Sequence, residues 1–203
     1  MRGNNLVQDG NGWETISSDK HFADKHLEVA TDVVRTPAQK EPRSWLIVHR
    51  KPAVVIAPLR EDGKFLLVRQ VRIPIRSIIW EMPAGQIDDT TAPNQDDLRR
   101  VALRELEEET RHTLGEGGEL IPLGHYFSSP GFTDEHGYFF LARPVEPCRD
   151  KAMDGEELII DCRAFSVAEL RRMIAEGEIR DANTLSMCAR LVARGFLSLE
   201  PRE

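Results

Sequence analysis

An arginine followed by a run of glutamates, between Arg104 and Glu109, holds the residues of this chain best suited to chemistry. On a helical wheel at about 100° per residue, Glu105 and Glu109 lie within or beside the apolar stripe that begins at Leu98. Glu108 flanks the same stripe. Clustered carboxylate oxygens are the ligands that hard divalent cations prefer, so this helix could hold a metal ion.

Two like charges on the apolar face of one helix need compensation. Glu105 and Glu109 are one turn apart, and removing each from water costs several kcal/mol unless a partner replaces the solvent. An arginine could be that partner, with Arg104 and Arg72 as candidates, or a divalent cation could be. A solvated, charge-rich helix face is the ordinary alternative for a glutamate run. The wheel argues against it, because two of the carboxylates do not face away from the core.

Two flanking segments carry further motif residues. The upstream segment is Trp80-Glu81-Met82-Pro83-Ala84-Gly85, and the downstream one is Ser128-Ser129-Pro130-Gly131-Phe132-Thr133-Asp134-Glu135. With the acidic run, the upstream segment resembles the Nudix hydrolase box, G-x5-E-x7-R-E-U-x-E-E-x-G-U, where U is a bulky aliphatic residue. The downstream segment resembles the S-P-G loop of ADP-ribose pyrophosphatases and related nucleoside-diphosphate-sugar hydrolases.

The acidic run matches the box position by position, whereas its surroundings depart from the pattern. Between Gly85 and Arg104 lie 18 residues, five more than in the box, and the excess falls within residues 88–95. Arg111 and His112 stand where the box has its closing glycine and aliphatic residue. These departures concern the loop and the end of the helix more than the carboxylates.

The resemblance implies Mg²⁺-dependent hydrolysis of a nucleoside diphosphate linked to a sugar, with Mn²⁺ able to substitute. ADP-ribose is the favoured substrate, and its products would be AMP and ribose 5-phosphate. GDP-mannose or an ADP-sugar such as ADP-glucose is the nearest alternative. A Nudix-fold binding module that senses a ligand without catalysis is an alternative of another class. A purely structural domain would leave the convergence of these motifs unexplained.

The resemblance also assigns metal-binding roles. Glu105 and Glu109 would be the main metal ligands, Glu108 would share in binding, and the carbonyl oxygen of Ala84 would add another donor. Arg104 would orient the carboxylates by bidentate pairing. A glycine at position 85 would let the chain turn closely against the metal.

Further residues would bind the substrate or act as the base. Arg72 would hold a substrate phosphate, and Glu81 would contact the substrate or a water at the metal. Pro130, Gly131 and Phe132 would shape the wall beside the terminal ribose. The general base would be either Glu156 or Glu157, and the adenine would stack on an aromatic ring of the N-terminal region, either Phe22 or Trp45.

Hydrophobic periodicity predicts the elements that must position these residues. Period-two alternation and short apolar runs predict strands at 27–33, 45–48, 53–59, 65–71, 120–127, 137–145 and 158–165. An Asp-Gly turn joins the third and fourth of these as a hairpin. Residues 37–43 are predicted as a turn and residues 73–80 as a loop or edge segment, because Pro74 interrupts the run. Helices are predicted at 95–114, 166–176 and 182–194.

This order of strands and helices indicates the α+β class with mixed sheets. The family resemblance implies an α/β/α sandwich with a mixed central sheet over residues 51–203. It also implies a β-rich N-terminal extension over residues 1–50 that serves homodimerisation. Residues 1–12, rich in Asn, Gly and Asp, are expected to be frayed.

Composition narrows the classes of partner. The net charge is −7, and no basic run provides the footprint expected for nucleic acid or an acidic membrane. No stretch approaches the roughly 20 apolar residues of a membrane-spanning helix, and the N-terminus lacks an apolar signal core. The three cysteines have no disulfide or zinc spacing, which predicts a reducing compartment, the cytoplasm.

Overall fold

The computed structural model describes residues 6–88, 93–148 and 158–199. Within these ranges the chain forms ten strands, three α-helices and a short 3-10 helix, Ile73–Ile75. The strands are β1 (Glu14–Ala23), β2 (Leu27–Thr36), β3 (Gln39–Arg50), β4 (Ala53–Arg60), β5 (Phe65–Arg72), β6 (Ser77–Glu81), β7 (Ala84–Gln86), β8 (His112–Phe127), β9 (His136–Pro147) and β10 (Ile159–Phe165). The helices are α1 (Gln95–Thr110), α2 (Val167–Ala175) and α3 (Ala182–Ala193).

The strands form two sheets. Strands β1, β2 and β3 make an antiparallel sheet at the N-terminus. The seven-stranded sheet has the order β10-β5-β4-β9-β8, with β6 beside β5 and β7 beside β4. Its β4–β9 pair is parallel, and its other pairs are antiparallel, so the predicted mixed sheet is confirmed.

Strand β4 lies at the centre of the larger sheet and is apolar on both faces. Successive side chains of a strand point to opposite faces. Val54 and Ile56 belong to the cluster that packs against α1, whereas Val55 and Ala57 belong to the cluster that packs against α2 and α3. Helices therefore cover both faces of the sheet, and the predicted α+β sandwich is confirmed. In the described part of the chain no helix has the length and apolar character needed to cross a bilayer.

Helix α1 begins where the sequence predicts and ends earlier. The side chain of Asn94 accepts the backbone N–H of Asp97, whose carboxylate accepts the N–H of Asn94 in return, which is a capping box. The helix ends at Thr110, not at residue 114 as predicted. Arg111 takes the left-handed conformation (φ 56°) and its N–H bonds to the carbonyl of Glu107, so the chain leaves the helix there and enters β8.

Several other boundaries differ from the prediction because pairing extends the strands. The predicted turn at 37–43 is confined to residues 37–38, since β3 already begins at Gln39. Strand β8 begins at His112, eight residues before the predicted start, because it pairs with β9 from that point. Strand β1 was not predicted from periodicity. Of residues 1–12, expected to be frayed, the structure describes 6–12, where Gly10 exchanges two backbone hydrogen bonds with Trp13.

The remaining elements follow the prediction. Strands β2, β4, β5, β9 and β10 and helices α2 and α3 lie within a few residues of their predicted ranges. Ser166 forms the predicted capping box with Glu169 at the start of α2. The segment after Pro74 is an edge strand, β6, which pairs only with β5 among the described strands.

Arg111 provides a test of the helix end. A non-glycine residue in the left-handed region is strained by its Cβ atom, whereas glycine is not but is more flexible in the unfolded chain. We expect Arg111→Gly to raise the free energy of unfolding by about 0.5–1 kcal/mol in urea denaturation. Arg111→Ala, which keeps Cβ, is the matched control. A gain as large for alanine as for glycine would show that backbone strain is not the cause.

Candidate functional site

The carboxylates of Glu105 and Glu109 are buried on one face of α1 and reach the same dipeptide of β7. Their exposed fractions are only 4% and 2%, as the helical wheel predicts. One oxygen of Glu109 accepts the backbone N–H of Ala84 at 2.9 Å. The carboxylate of Glu105 lies against the next residue, Gly85. The two side chains therefore converge on Ala84 and Gly85.

Gly85 makes this convergence possible because it has no side chain. A Cβ atom at this position would lie 2.0–2.5 Å from the three carboxylate atoms of Glu105, closer than non-bonded atoms can approach. The backbone of Gly85 is not in the left-handed region, and it pairs with Val54 of β4. In the structure the residue is needed for the space it leaves beside Glu105, and the predicted close turn against a metal stays a prediction.

Arg104 neutralises part of this charge from the solvent side. Its guanidinium donates to Glu105 Oε1 at 2.5 Å and to Glu108 Oε2 at 3.0 Å. It therefore bridges two carboxylates with one nitrogen each, where the prediction was that bidentate pairing of Arg104 orients the carboxylates. Glu108 is half-buried and is held by its ion pair with Arg104.

Arg72 and Glu81 form a second ion pair near this dipeptide. Glu81 is 3% exposed, and Arg72 donates to its carboxylate through Nε at 2.9 Å and through Nη2 at 2.5 Å. The hydrogen bond to Glu81 raises the pKa of Arg72 further above its ordinary value, with added attraction from Asp181 and Glu109. Arg72 keeps 42% of its side chain exposed although its guanidinium is held by Glu81.

Thr184 of α3 holds the chain segment between Glu81 and Ala84. Thr184 was not identified as a site residue from the sequence. Its side chain is fully buried. Its hydroxyl accepts the backbone N–H of Met82 at 2.9 Å and donates to Asp181 at 2.8 Å. Met82 lies between Glu81 and Ala84, so this contact fixes the path of the chain through the site. Asp181 marks a helix start in the sequence, but no sequence signal links Thr184 to a residue 102 positions away.

The loop of residues 128–135 lies at the same end of the sheet as Gly85. Val54 of β4 is paired with Gly85 on one side and with Tyr138 of β9 on the other. Neighbouring strands are about 4.8 Å apart, and the loop directly precedes β9. Pro130, Gly131 and Phe132 are exposed in this loop. Glu156 and Glu157, the candidate bases, lie outside the described residues.

The donor chemistry of the site fits a divalent cation. Among the described residues, no three histidine, cysteine, aspartate or glutamate side chains are arranged as a metal-binding group. Mg²⁺ does not require one, because proteins commonly bind it through one or two carboxylates together with water and substrate phosphates. Glu105 and Glu109 supply two such carboxylates, and two buried negative charges on one helix face favour a cation.

Burial shifts the pKa values of two thiols and two imidazoles in the described ranges away from their nucleophilic or charged forms. Burial raises the pKa of Cys162 to about 12 and that of Cys188 to about 11, so neither is a thiolate near neutral pH. Burial lowers the pKa of His112 and of His136. The chemistry of the site therefore belongs to its carboxylates and guanidinium groups.

Comparison with known proteins places the acidic helix within a recognised domain family. A NUDIX domain model matches residues 49–188. The chain is 28% identical over 171 residues to an ADP-ribose pyrophosphatase of Bacillus subtilis (strain 168). That alignment covers 84% of this chain and 88% of the relative. It is 31% identical over 149 residues to a GDP-mannose pyrophosphatase of Enterobacter sp. (strain 638). That alignment covers 72% of this chain and 75% of the relative.

A solved structure shares the fold. The crystal structure of an ADP compounds hydrolase superposes with a TM-score of 0.71 at 16% sequence identity, over 94% of this chain and all of that chain. The domain model spans more than half of the 203 residues and contains both the acidic helix and the 128–135 loop. The chain therefore belongs to the Nudix hydrolase family, as its motifs predicted.

Proposed function

We propose that this protein hydrolyses the pyrophosphate of a nucleoside diphosphate linked to a sugar, and that its favoured substrate is ADP-ribose. Water adds across the P–O–P bond, so ADP-ribose gives AMP and ribose 5-phosphate. The observation that carries the proposal is the convergence of Glu105 and Glu109 on Ala84 and Gly85. Relatives named as ADP-ribose and GDP-mannose pyrophosphatases support this class of substrate.

The proposed cofactor is a divalent cation, Mg²⁺ with Mn²⁺ as a substitute. Glu105 and Glu109 would hold it, with the carbonyl oxygen of Ala84 as a further donor and Glu108 sharing when it leaves Arg104. When bound, the cation would neutralise pyrophosphate charge, polarise a phosphoryl oxygen and lower the pKa of a water. Arg104 keeps Glu105 in place between turnovers, because its hydrogen bond fixes the carboxylate beside Gly85.

Arg72 is the proposed phosphate-binding residue. Glu81 holds its guanidinium through two nitrogens, which removes rotamer freedom before substrate arrives. The side chain is 42% exposed, and its Nη1, which is not used in the bonds to Glu81, would donate to a phosphate oxygen. Glu81 would therefore act on the substrate through Arg72; its predicted contact with the substrate or with a water at the metal stays a prediction.

Either Glu156 or Glu157 is the proposed general base. Leu158, the residue that follows them, accepts a hydrogen bond from the backbone N–H of Val71 at 2.9 Å. Val71 adjoins Arg72, and consecutive Cα atoms are about 3.8 Å apart. Chain connectivity therefore supports a carboxylate supplied from this side of the site.

Trp45 is the better candidate for stacking on adenine. Its indole N–H donates to the carbonyl of Gly131 at 2.9 Å, which puts the exposed ring beside the 128–135 loop and Phe132. Aromatic rings with free faces provide stacking surfaces for any base. Phe22 is equally exposed on β1 of the same sheet and remains the alternative.

Homodimerisation through the N-terminal sheet is also a proposal. Large exposed apolar groups favour an interface. Half or more of the surface is exposed for Phe22, Trp45 and Leu46 of this sheet and for Trp13 just before it. Sedimentation equilibrium at micromolar protein should give twice the chain mass; a monomer would contradict the proposal. A cytoplasmic location is supported by the three cysteines, none of which forms a disulfide bond in the described part of the chain.

A panel of ADP-ribose, ADP-glucose and GDP-mannose with Mg²⁺, analysed for products, tests the substrate. We expect the highest kcat/KM for ADP-ribose, and AMP with ribose 5-phosphate in equal amounts. A preference for GDP-mannose would select the second candidate, which relatives of that name support. Binding of ADP-ribose without any turnover in Mg²⁺ or Mn²⁺ would indicate the non-catalytic sensor instead.

Glu109→Gln tests the metal carboxylates. The amide keeps the shape of the side chain but removes the charge that holds the cation, so we expect kcat/KM to fall by at least about a hundredfold while substrate still binds. Glu107→Gln makes the same change on the same helix outside the site and should retain activity. Unchanged turnover in Glu109→Gln would contradict the assignment.

Gly85→Ala tests the space that the site requires. The added methyl group would displace the carboxylate of Glu105, and a displacement of this size costs about a hundredfold in turnover. The carboxylate is the end of a flexible side chain, so we expect the free energy of unfolding to change by less than about 1 kcal/mol. Gly115→Ala is the control, since its Cβ would meet neighbouring atoms at 3.4 Å or more. Full activity in Gly85→Ala would show that the position of Glu105 is immaterial.

A further inference from the structure

A buried histidine lies between two aspartates away from the acidic helix. His49 of β3 faces Asp134 of the 128–135 loop, with 2.8 Å between Nδ1 and Oδ2. Its other ring nitrogen, Nε2, lies 3.5 Å from Oδ2 of Asp32 on β2. His49 and Asp32 are 8% and 5% exposed. The imidazole therefore connects the N-terminal sheet to the loop.

Backbone and hydroxyl contacts extend this connection along the loop. The N–H of Val48 donates to the carbonyl of Phe132 at 2.9 Å, and the hydroxyl of Thr133 donates to the carbonyl of Val48 at 2.6 Å. The N–H of Arg50 donates to the second carboxylate oxygen of Asp134 at 2.9 Å. Three consecutive residues of β3 thus contact three consecutive residues of the loop, and His49 is the central one.

The far end of the connection is also fixed. Asp32 accepts the hydroxyl of Ser18 on β1 at 2.5 Å, so side chains from all three N-terminal strands meet in one network. Glu28 adds a further negative charge near His49, and Lys20 pairs with it. The imidazole lies between the buried carboxylate of Asp32 and the half-buried carboxylate of Asp134. It is hydrogen-bonded to Asp134 and within ion-pair distance of Asp32, so it joins the two sides of the network.

We infer that His49 is a positioning residue for substrate recognition. Through Asp134 it holds the 128–135 loop against the N-terminal sheet, and so fixes Phe132 and the carbonyl that bonds to Trp45. The effect on recognition rests on the proposed function, because the loop and Trp45 are its substrate-contacting parts. The mechanical link itself does not depend on that function.

Hydrogen–deuterium exchange of the substrate-free protein tests the link. In His49→Ala we expect the amides of Phe132, Thr133 and Arg50 to exchange at least about tenfold faster, because the loop opens more often. His49→Asn, whose side-chain nitrogen can occupy the place of Nδ1, should restore most of the protection. His21→Ala is the control, since His21 is an exposed histidine of β1 that contacts Thr31 and not the loop.

Kinetics with ADP-ribose distinguish positioning from general damage. We expect His49→Ala to raise KM about tenfold and to leave kcat within about twofold, with partial recovery in His49→Asn. If His49→Ala does not fold, Asp134→Asn should give the same exchange and KM changes, since it weakens the same bond without removing bulk. Unchanged exchange in the loop, or a fall in kcat at constant KM, would overturn the inference. If the wild-type protein hydrolyses no nucleotide sugar, the proposed function fails, and the exchange result still decides the link.

Discussion

Two negative charges buried on one helix face, against a strand residue that has no side chain, are the constraint on which the rest of the site depends. Glu105 and Glu109 lie in the apolar stripe of α1, where a carboxylate without a partner would be costly. The absent side chain of Gly85 provides the room, and the N–H of Ala84 and the guanidinium of Arg104 provide donors. Positive charge close by would stabilise both carboxylates in their ionised form.

The fold supplies this arrangement by surrounding β4 on all sides. Its two apolar faces anchor α1 on one side and α2 and α3 on the other. Its edges pair with β7 and with β9. Val54 is therefore paired with Gly85 on one side and, on the other, with the start of β9, which directly follows the 128–135 loop. Thr184 then connects α3 to the chain just before Ala84. Elements far apart in sequence therefore meet at one end of a single strand.

The sequence predicts the parts of the site that depend on local periodicity. The burial of Glu105 and Glu109 follows from the 3.6-residue repeat alone, and the predicted start of α1 at residue 95 agrees with the structure, where Asn94 caps the helix. The helix end does not follow, because the left-handed conformation of Arg111 is imposed by the pairing of β8 with β9. Strand β1 lacks apolar alternation, since almost all of it is exposed, and only its pairing with β2 makes it a strand.

Contacts between residues distant in sequence cannot be predicted from hydrophobic periodicity or motifs, because they depend on how the sheets and helices pack. Glycine at position 85 was expected to let the chain turn closely against a metal, and the sequence gives no sign that a side chain on a helix 20 residues later needs the same space. The bond from Thr184 to Met82 and the contact of His49 with Asp134 likewise depend on how sheets and helices are stacked. Nothing in the local sequence of either partner specifies the other.

The most direct measurement is anomalous diffraction from a crystal of this protein soaked in Mn²⁺ with a non-hydrolysable ADP-ribose analogue. The account predicts an anomalous peak within coordination distance of the Glu105 and Glu109 carboxylates, beside Ala84. A crystal with the analogue bound but no peak there, or with both carboxylates held only by guanidinium groups, would contradict it.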